Sequence, residues 1–280
     1  MDSWSNKMSY NEILSDISIS ISISESNEME SLGLSLSHLN DAMVEVARHL
    51  LALGAKLVYG GDLRQNGFSQ LLFELVQRHS SDSILDGASD SVKNYLAWPV
   101  HCQYSIDDIE KIREELLGTA SLLYLSRDGT LMSWDERKAI FPVAPTPKDW
   151  IDGLTSMRKL SVESTRAKVV LGGKTNKFFG VMPGVAEESL MALNIKQPIY
   201  VVGGFGGCAL DIAKEIGLIS SAGGSSNWSG AEKFSSFTFQ SLNNGLNFDE
   251  NLTLAKTPHI DEISVLIMKG LSNLRNSKLL

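Results

Sequence analysis

The sequence predicts an α/β protein with a Rossmann-like, doubly wound, mainly parallel sheet and helices on both faces. Three observations carry this expectation. β-branched and apolar runs alternate with segments of helical periodicity, the order of successive β-α units. Glycine pairs at 60–61, 172–173 and 203–204 close three of those runs, as at the carboxyl edge of a parallel sheet. Finally, 280 residues, 43% of them hydrophobic, with a mean hydropathy near zero, suffice for one large core. The chain is read as a single domain over 1–280, with a core at about 17–220 and a helical carboxyl-terminal extension at 221–280.

The first strand is Ile17 to Ser24, ISISISIS. Its period of two suits a strand with one isoleucine face and one serine face, and no helix; low complexity is the alternative. Leu39, Met43, Val46 and Leu50 then fall on one face of a helix from about His38 to Leu53, which Gly54 closes. AKLVYGGDLR supplies a second strand ending at Gly60 and Gly61, and NGFSQLLFELVQRH a second helix. Ser80 to Asn94 is polar and without period, so a surface loop is expected there. YLAWPV and SLLYLS read as buried strands on either side of a helix from about Ser105 to Leu117. Pro142, Pro145 and Pro147 block regular structure in FPVAPTPKDW, a crossover or lid. A helix from Pro147 to about Ser164 follows, then strands in VVLGGK and IYVVGGFGG and a helix from about Cys208 to Ile216. Beyond Gly217 the chain is rich in glycine and serine up to Trp228 and then helical, with Ile260, Ile263, Ile267 and Leu271 as a last apolar stripe. Roughly five or six parallel strands result, and right-handed crossovers place their glycine-ended turns along one edge.

A formal charge of −8 argues against broad nucleic-acid or anionic-membrane surfaces, which need clustered Lys and Arg. Cys102 and Cys208 are too few and too far apart for a disulfide framework or a zinc site, and the five histidines show no metal-ligand spacing. The first residues, MDSWSNKMSY, lack the basic flank and apolar stretch of a secretory signal, and no apolar run approaches a membrane span. A soluble cytoplasmic protein without a required cofactor or metal is expected.

The chemistry-bearing motifs lie at the strand ends. GGFGG, Gly203 to Gly207, followed by a helix whose amino terminus carries partial positive charge, suits a phosphate. A tight strand-to-helix turn explains the same glycines. Within that turn Phe205 is the aromatic expected to touch a base, and Trp134, Trp150 and Trp228 either line an adenine slot or pack. Gly172, Gly173 and Lys174 set a cation after a glycine pair, again a phosphate contact or simply a soluble turn. Gly60, Gly61, Asp62 and Arg64 offer a ribose-binding carboxylate and an anion-binding arginine, or an exposed ion pair. In MPGVAEE, Pro183 and Gly184 open a helix whose first turn carries Glu187 and Glu188. These acids either favour the helix dipole or hold ribose hydroxyls and assist glycosidic cleavage.

Taken together, the ISIS strand, HLLALGAKLVYGGDLR, LTSMRK, RAKVVLGGK, GVMPGVAEE and QPIYVVGGFGGCALDIAKEIGL resemble the SLOG superfamily, from about Ile17 to Leu274. More narrowly the chain is similar to the branch related to the amino-terminal domains of TRPM channels, found in prokaryotes beside TIR and other defence modules. The resemblance implies a Rossmann-like fold that recognises nucleotides or NAD-derived ligands such as ADP-ribose, as a sensor or effector in antiphage defence. It also implies a TIR-domain or other defence protein as partner; a homo-oligomer is expected because doubly wound proteins commonly self-associate through outer helices, although no stripe here is diagnostic of it. The related LOG phosphoribohydrolases carry an Arg-Lys pair upstream of a PGGxGTxxE loop. Arg158 and Lys159 fall at that pair, and Glu187 or Glu188 at the terminal glutamate. The loop is shortened here to PGVAEE, without the part that wraps a 5′-phosphate, which favours binding over N-glycosidic cleavage. Three readings stand: a ligand-binding module, an N-glycosidase with Arg158, Glu187 and Glu188 as its catalytic residues, and an assembly subunit with a vestigial pocket.

Overall fold

The computed structural model describes residues 12–61, 63, 67–82, 91–220 and 226–280. In chain order the elements are β1 (Ser18–Ser24), α1 (Leu36–Ala52), β2 (Lys56–Gly60), α2 (Phe68–Asp82), β3 (Val92–Leu96), α3 (Trp98–His101) and α4 (Ile106–Glu115). Next come β4 (Ala120–Leu125), β5 (Leu131–Met132), α5 (Trp134–Lys138), α6 (Pro147–Glu163), β6 (Ala167–Gly172), α7 (Gly184–Asn194), β7 (Ile199–Val202) and α8 (Gly207–Glu215). Short 3-10 helices at Ala231–Ser236 and Phe239–Leu242 precede α9 (Phe248–Lys256) and α10 (Ile260–Asn276).

The sheet order is β5-β4-β3-β2-β1-β6-β7. All neighbours pair in parallel except β5, which returns antiparallel on β4. The chain therefore winds outward from β1 to β4, crosses back through α6, and resumes on the other side of β1 at β6. The winding reverses between β1 and β6, and in such sheets the crevice for a ligand opens where the carboxyl ends of those two strands part. The ends of β2, β1, β6 and β7 are successive neighbours along this edge, so the glycine pairs at 60–61, 172–173 and 203–204 share it.

The alternation of β1 sorts its faces. Ile19, Ile21 and Ile23 enter a core with α1, α2 and α10, whereas Ser20 and Ser22 point to the face covered by α6 and α7 and are buried as well. A strand inside a parallel sheet is covered on both sides, so the serine face is polar without being wet. Val170, Val201, Ala186 and Ile212 build a second core beneath α7 and α8, and Val58, Tyr95, Leu125 and Met157 a third beneath α6. The last apolar stripe is confirmed in kind: Ile263, Ile267 and Leu271 of α10 lie in the core of α1 and β1, with Leu254 of α9. At the β7 edge the Asn244 amide donates to the Ile199 carbonyl at 2.8 Å, and the Tyr200 hydroxyl donates to the Asn244 carbonyl at 2.9 Å.

Three local expectations are revised. The strand expected in YLAWPV begins three residues earlier, at Val92, and ends at Leu96, because Pro99 lacks the N–H that a ladder needs and instead sits in the first turn of α3. The loop expected at Ser80 to Asn94 is correspondingly shorter at both ends, since α2 runs to Asp82 and β3 starts at Val92. The β4–β5 hairpin and α5 were not expected. A turn bonded from Ser126 N to the Thr130 carbonyl at 2.8 Å makes the hairpin, and reciprocal capping by Ser133 and Glu136 starts α5.

Candidate functional site

The side chains brought together at the reversal of winding come from α6, β6 and the first turn of α7. Helix α6 is fixed at its start by a capping box between Thr146 and Asp149. Arg127, from the β4–β5 turn, clamps the Asp149 carboxylate with two bonds, Nε to Oδ1 at 2.7 Å and Nη2 to Oδ2 at 2.9 Å. That guanidinium, with the Thr146 amide and hydroxyl, holds the Asp149 carboxyl far below the usual carboxylate range. Along the helix so anchored, Trp150, Thr155 and Arg158 face the segment that follows β6.

Arg158 donates to Glu187 Oε2, and the Thr155 hydroxyl donates to Glu187 Oε1 at 2.7 Å. Arg158 and Glu187 are 8% and 5% exposed, so the pair sits at the bottom of the edge rather than on the surface. Among the described residues Glu187 is the guanidinium's one hydrogen-bond partner, which leaves its remaining N–H donors for an incoming group. Backbone encloses it closely. A Cβ at Gly184 would lie 2.6 Å from Nη2 and one at Gly180 3.0 Å from Nη1, and Gly180 has a φ of 116°. Any side chain at either position displaces the arginine.

Glu188, one residue on, does something else. Its Oε2 accepts from Lys168 Nζ at 2.6 Å, and Lys168 is wholly buried in β6 beside Ser20 of β1. The two glutamates thus divide: Glu187 belongs to the edge, Glu188 to a buried ion pair beneath it. Lys159 joins neither, lying exposed at 3.9 Å from Glu163.

The glycine turns are occupied by the protein itself. Gly172 has a φ of 59° and its α-carbon lies against the Ser24 carbonyl, which accepts from Gly173 N at 2.8 Å; Lys174 N donates to Ser24 Oγ at 3.1 Å. The Lys174 side chain is exposed above the end of β1. In GGFGG, Gly206 N donates to the Gly203 carbonyl and Cys208 N to the Gly173 carbonyl, while Gly207 N donates to the Glu28 carboxylate at 2.9 Å. The amino terminus of α8 therefore already holds an anion, Glu28, from the segment after β1. Gly203 and Gly204 admit the carbonyls of Ala255, in the last turn of α9, and of Thr257 just after it, at 2.3 and 2.1 Å from where a Cβ would stand. Gly60 packs on the Met157 side chain and Gly61 on Ser69, with Gly61 N shared between the Tyr95 carbonyl and Asn94 Oδ1. Pro183 is the N-cap of α7, its carbonyl accepting from Glu187 N at 2.9 Å.

Phe205 is a correction. Expected to touch a base, it is fully buried in the α1–α10 core. It lies in the turn after the end of β7 at Val202, just before the positive φ of Gly206 and Gly207 leads the chain into α8. Asp62 and Arg64 lie outside the described residues. Cys208 is buried, and burial pushes its thiol up to about 12, so the helix amino terminus does not activate it. Trp228 packs, donating to Asp211 Oδ2 at 3.0 Å, and Trp134 lies over Tyr124 beneath the Arg113 guanidinium. Trp150 stacks on Phe179, ring centroids 5.1 Å apart and planes at 24°.

The model of the family described as SLOG cluster2 matches residues 13–228. The chain belongs to the SLOG superfamily. The matched SLOG region takes in all seven strands and ends at Trp228, so α9 and α10 lie beyond it. No curated protein matches the chain. SLOG membership is consistent with binding of a nucleotide-related ligand, and no helix among the described residues is long and apolar enough to cross a membrane.

Two features of the site were missed in the sequence. Lys168 was readable as a charge inside an apolar strand, which burial obliges to find a carboxylate. Glu28, in a polar stretch after β1, gave no signal, since only the return of the chain over α8 gives it a role.

Proposed function

We propose that this SLOG chain binds a nucleotide or an NAD-derived ligand of the ADP-ribose kind at the edge where β1 and β6 part. The observation that carries the reading is the Arg158–Glu187–Thr155 cluster, set under glycine backbone in the first turn of α7. A guanidinium with unused donors suits a phosphate, and a carboxylate held beside it suits ribose hydroxyls. Lys174 adds an exposed cation over the same edge, beside the turn of Gly172 and Gly173. A ligand phosphate that reaches the Gly203–Gly207 turn takes the place of Glu28 on Gly207 N. The binding event serves as a sensor or effector step in prokaryotic antiviral defence, passed on through homo-oligomers or to a TIR-domain or other defence protein; the family resemblance supports this part.

The second reading, N-glycosidic cleavage, draws on the same carboxylate, because a glutamate beside a bound ribose stabilises positive charge developing on it. One experiment separates them. The protein is incubated with AMP, NAD and ADP-ribose, binding is measured by calorimetry and products by chromatography. Binding without release of free base, weakened at least tenfold by Arg158→Ala in a protein that still folds, supports the module. Release of base supports the enzyme, and absence of binding to all three refutes both.

A further inference from the structure

Phe179 stands out among the apolar side chains of the carboxyl edge. It is 62% exposed, on the segment that connects β6 to α7, and only one of its faces is used, against Trp150 of α6. The segment is not loose around it. At one end Gly173 N and Lys174 N are bonded to Ser24, and the Cys208 thiol donates to the Lys174 carbonyl at 3.1 Å. At the other end Met182 is buried against Gly230, and Pro183 caps α7. Between these anchors Phe178 turns inward onto the core beneath α7 and α8, and Phe179 turns out. The left-handed φ of Lys177 and Gly180 brackets the two.

The position of this stack relative to the charged cluster gives it a use. Trp150 and Arg158 are eight residues apart on α6, hence about 12 Å along one side of the helix. Gly180, which follows Phe179 directly, lies against the Arg158 guanidinium. An exposed aromatic face is thus mounted above a nearly buried arginine and carboxylate, on the same two segments. A flat, rigid, apolar surface beside groups that suit phosphate and ribose matches the third part of a nucleotide, its base.

We infer that the outer face of Phe179, backed by Trp150, is the stacking platform for the heteroaromatic base of the ligand. This rests on the nucleotide reading given above and adds a base-recognition site to it. Stacking is indifferent to the pattern of donors and acceptors on the base, so the platform selects for the presence of a base more than for its identity. Phe179 takes the role that the sequence suggested for Phe205.

The test uses AMP, ADP-ribose and ribose 5-phosphate as probes, with calorimetry on wild type, Phe179→Ala, Phe179→Tyr and Arg158→Ala. Wild type is expected to bind AMP or ADP-ribose more tightly than ribose 5-phosphate. Phe179→Ala should weaken the base-bearing probe by roughly 10- to 100-fold, the scale of one lost base–aromatic stack, and leave ribose 5-phosphate unchanged. Phe179→Tyr should retain wild-type affinity within about threefold, as expected where the ring alone is used. Unchanged affinity of Phe179→Ala for the base-bearing probe, or an equal loss for ribose 5-phosphate, overturns the platform. If in that case Arg158→Ala still loses all probes, the nucleotide site survives with its base elsewhere. If wild type binds none of the three, platform and site fall together.

Discussion

Replacing Glu188 by Gln should destabilise the fold while leaving the ligand edge chemically intact. The Lys168 ammonium is wholly buried, and Glu188, at 2.6 Å, is its one hydrogen-bonded counter-charge among the described residues. Glutamine keeps the shape and an acceptor oxygen but removes the charge, so an uncompensated ammonium remains inside the sheet. Removing one member of a buried pair costs about 3–5 kcal/mol, chiefly through the desolvated partner left behind. With an unfolding entropy of about 2.1 cal/mol/K per residue over 280 residues, that loss lowers Tm by about 5–9 °C. The double variant Lys168→Met, Glu188→Leu removes both charges and should return to within about 1–2 kcal/mol of wild type, because apolar groups of similar volume replace such pairs at little cost. Urea denaturation followed by fluorescence reads the midpoints, with unchanged m-values confirming that the same surface is exposed. A Glu188→Gln protein within about 1 kcal/mol of wild type, or a double variant as unstable as the single one, refutes the reasoning.

Two further predictions follow from groups elsewhere in the structure. Glu28→Gln keeps an acceptor for Gly207 N but removes a like charge from the path of a phosphate, so AMP or ADP-ribose should bind about 3- to 10-fold more tightly by calorimetry; unchanged affinity would place the phosphate away from α8. Burial holds His101 neutral, its pKa lowered from 6.5 to about 4, with the ring Nε2 bonded to the Leu125 carbonyl. Unfolded chains then take up a proton that the fold refuses, so the contribution of this group is complete above about pH 6.5 and falls by about 3 kcal/mol as pH drops to about 4. Urea midpoints across that range should slope accordingly in wild type and lose that part of the slope in His101→Gln; identical slopes would exclude the histidine as the cause.

Much of the architecture was legible because it follows from periodicity. The two-residue alternation of β1, the stripe of α1 and the stripe of α10 each specify a buried face without reference to the rest of the chain. What escaped was short or conditional on neighbours. The two-residue strand β5 has no period to detect, and YLAWPV reads as apolar throughout although Pro99 ends the strand. The glycine turns illustrate a limit of a different kind. A residue without Cβ shows that something approaches the backbone, but not whether that is a ligand or another part of the chain. At Gly203 and Gly204 it is the end of α9 and the residue after it, and at Gly207 the Gly173 carbonyl. Arg158 was placed by family resemblance and the acidic pair by the MPGVAEE motif, while the choice between Glu187 and Glu188 waited on Lys168, whose partner depends on the register of β6 against β1 and the rotation of α7.

The margins of the sheet limit how the protein associates. One border is β5, two residues long, and the other is β7, whose Ile199 carbonyl is bonded by the Asn244 side chain while Gly203 and Gly204 are sealed by the end of α9 and the residue after it. Among the described residues, neither border offers a long free ladder of amides and carbonyls to a further strand. Continuation of the sheet from one copy to the next is disfavoured by such borders, which leaves helices and loops as the surfaces through which copies would meet.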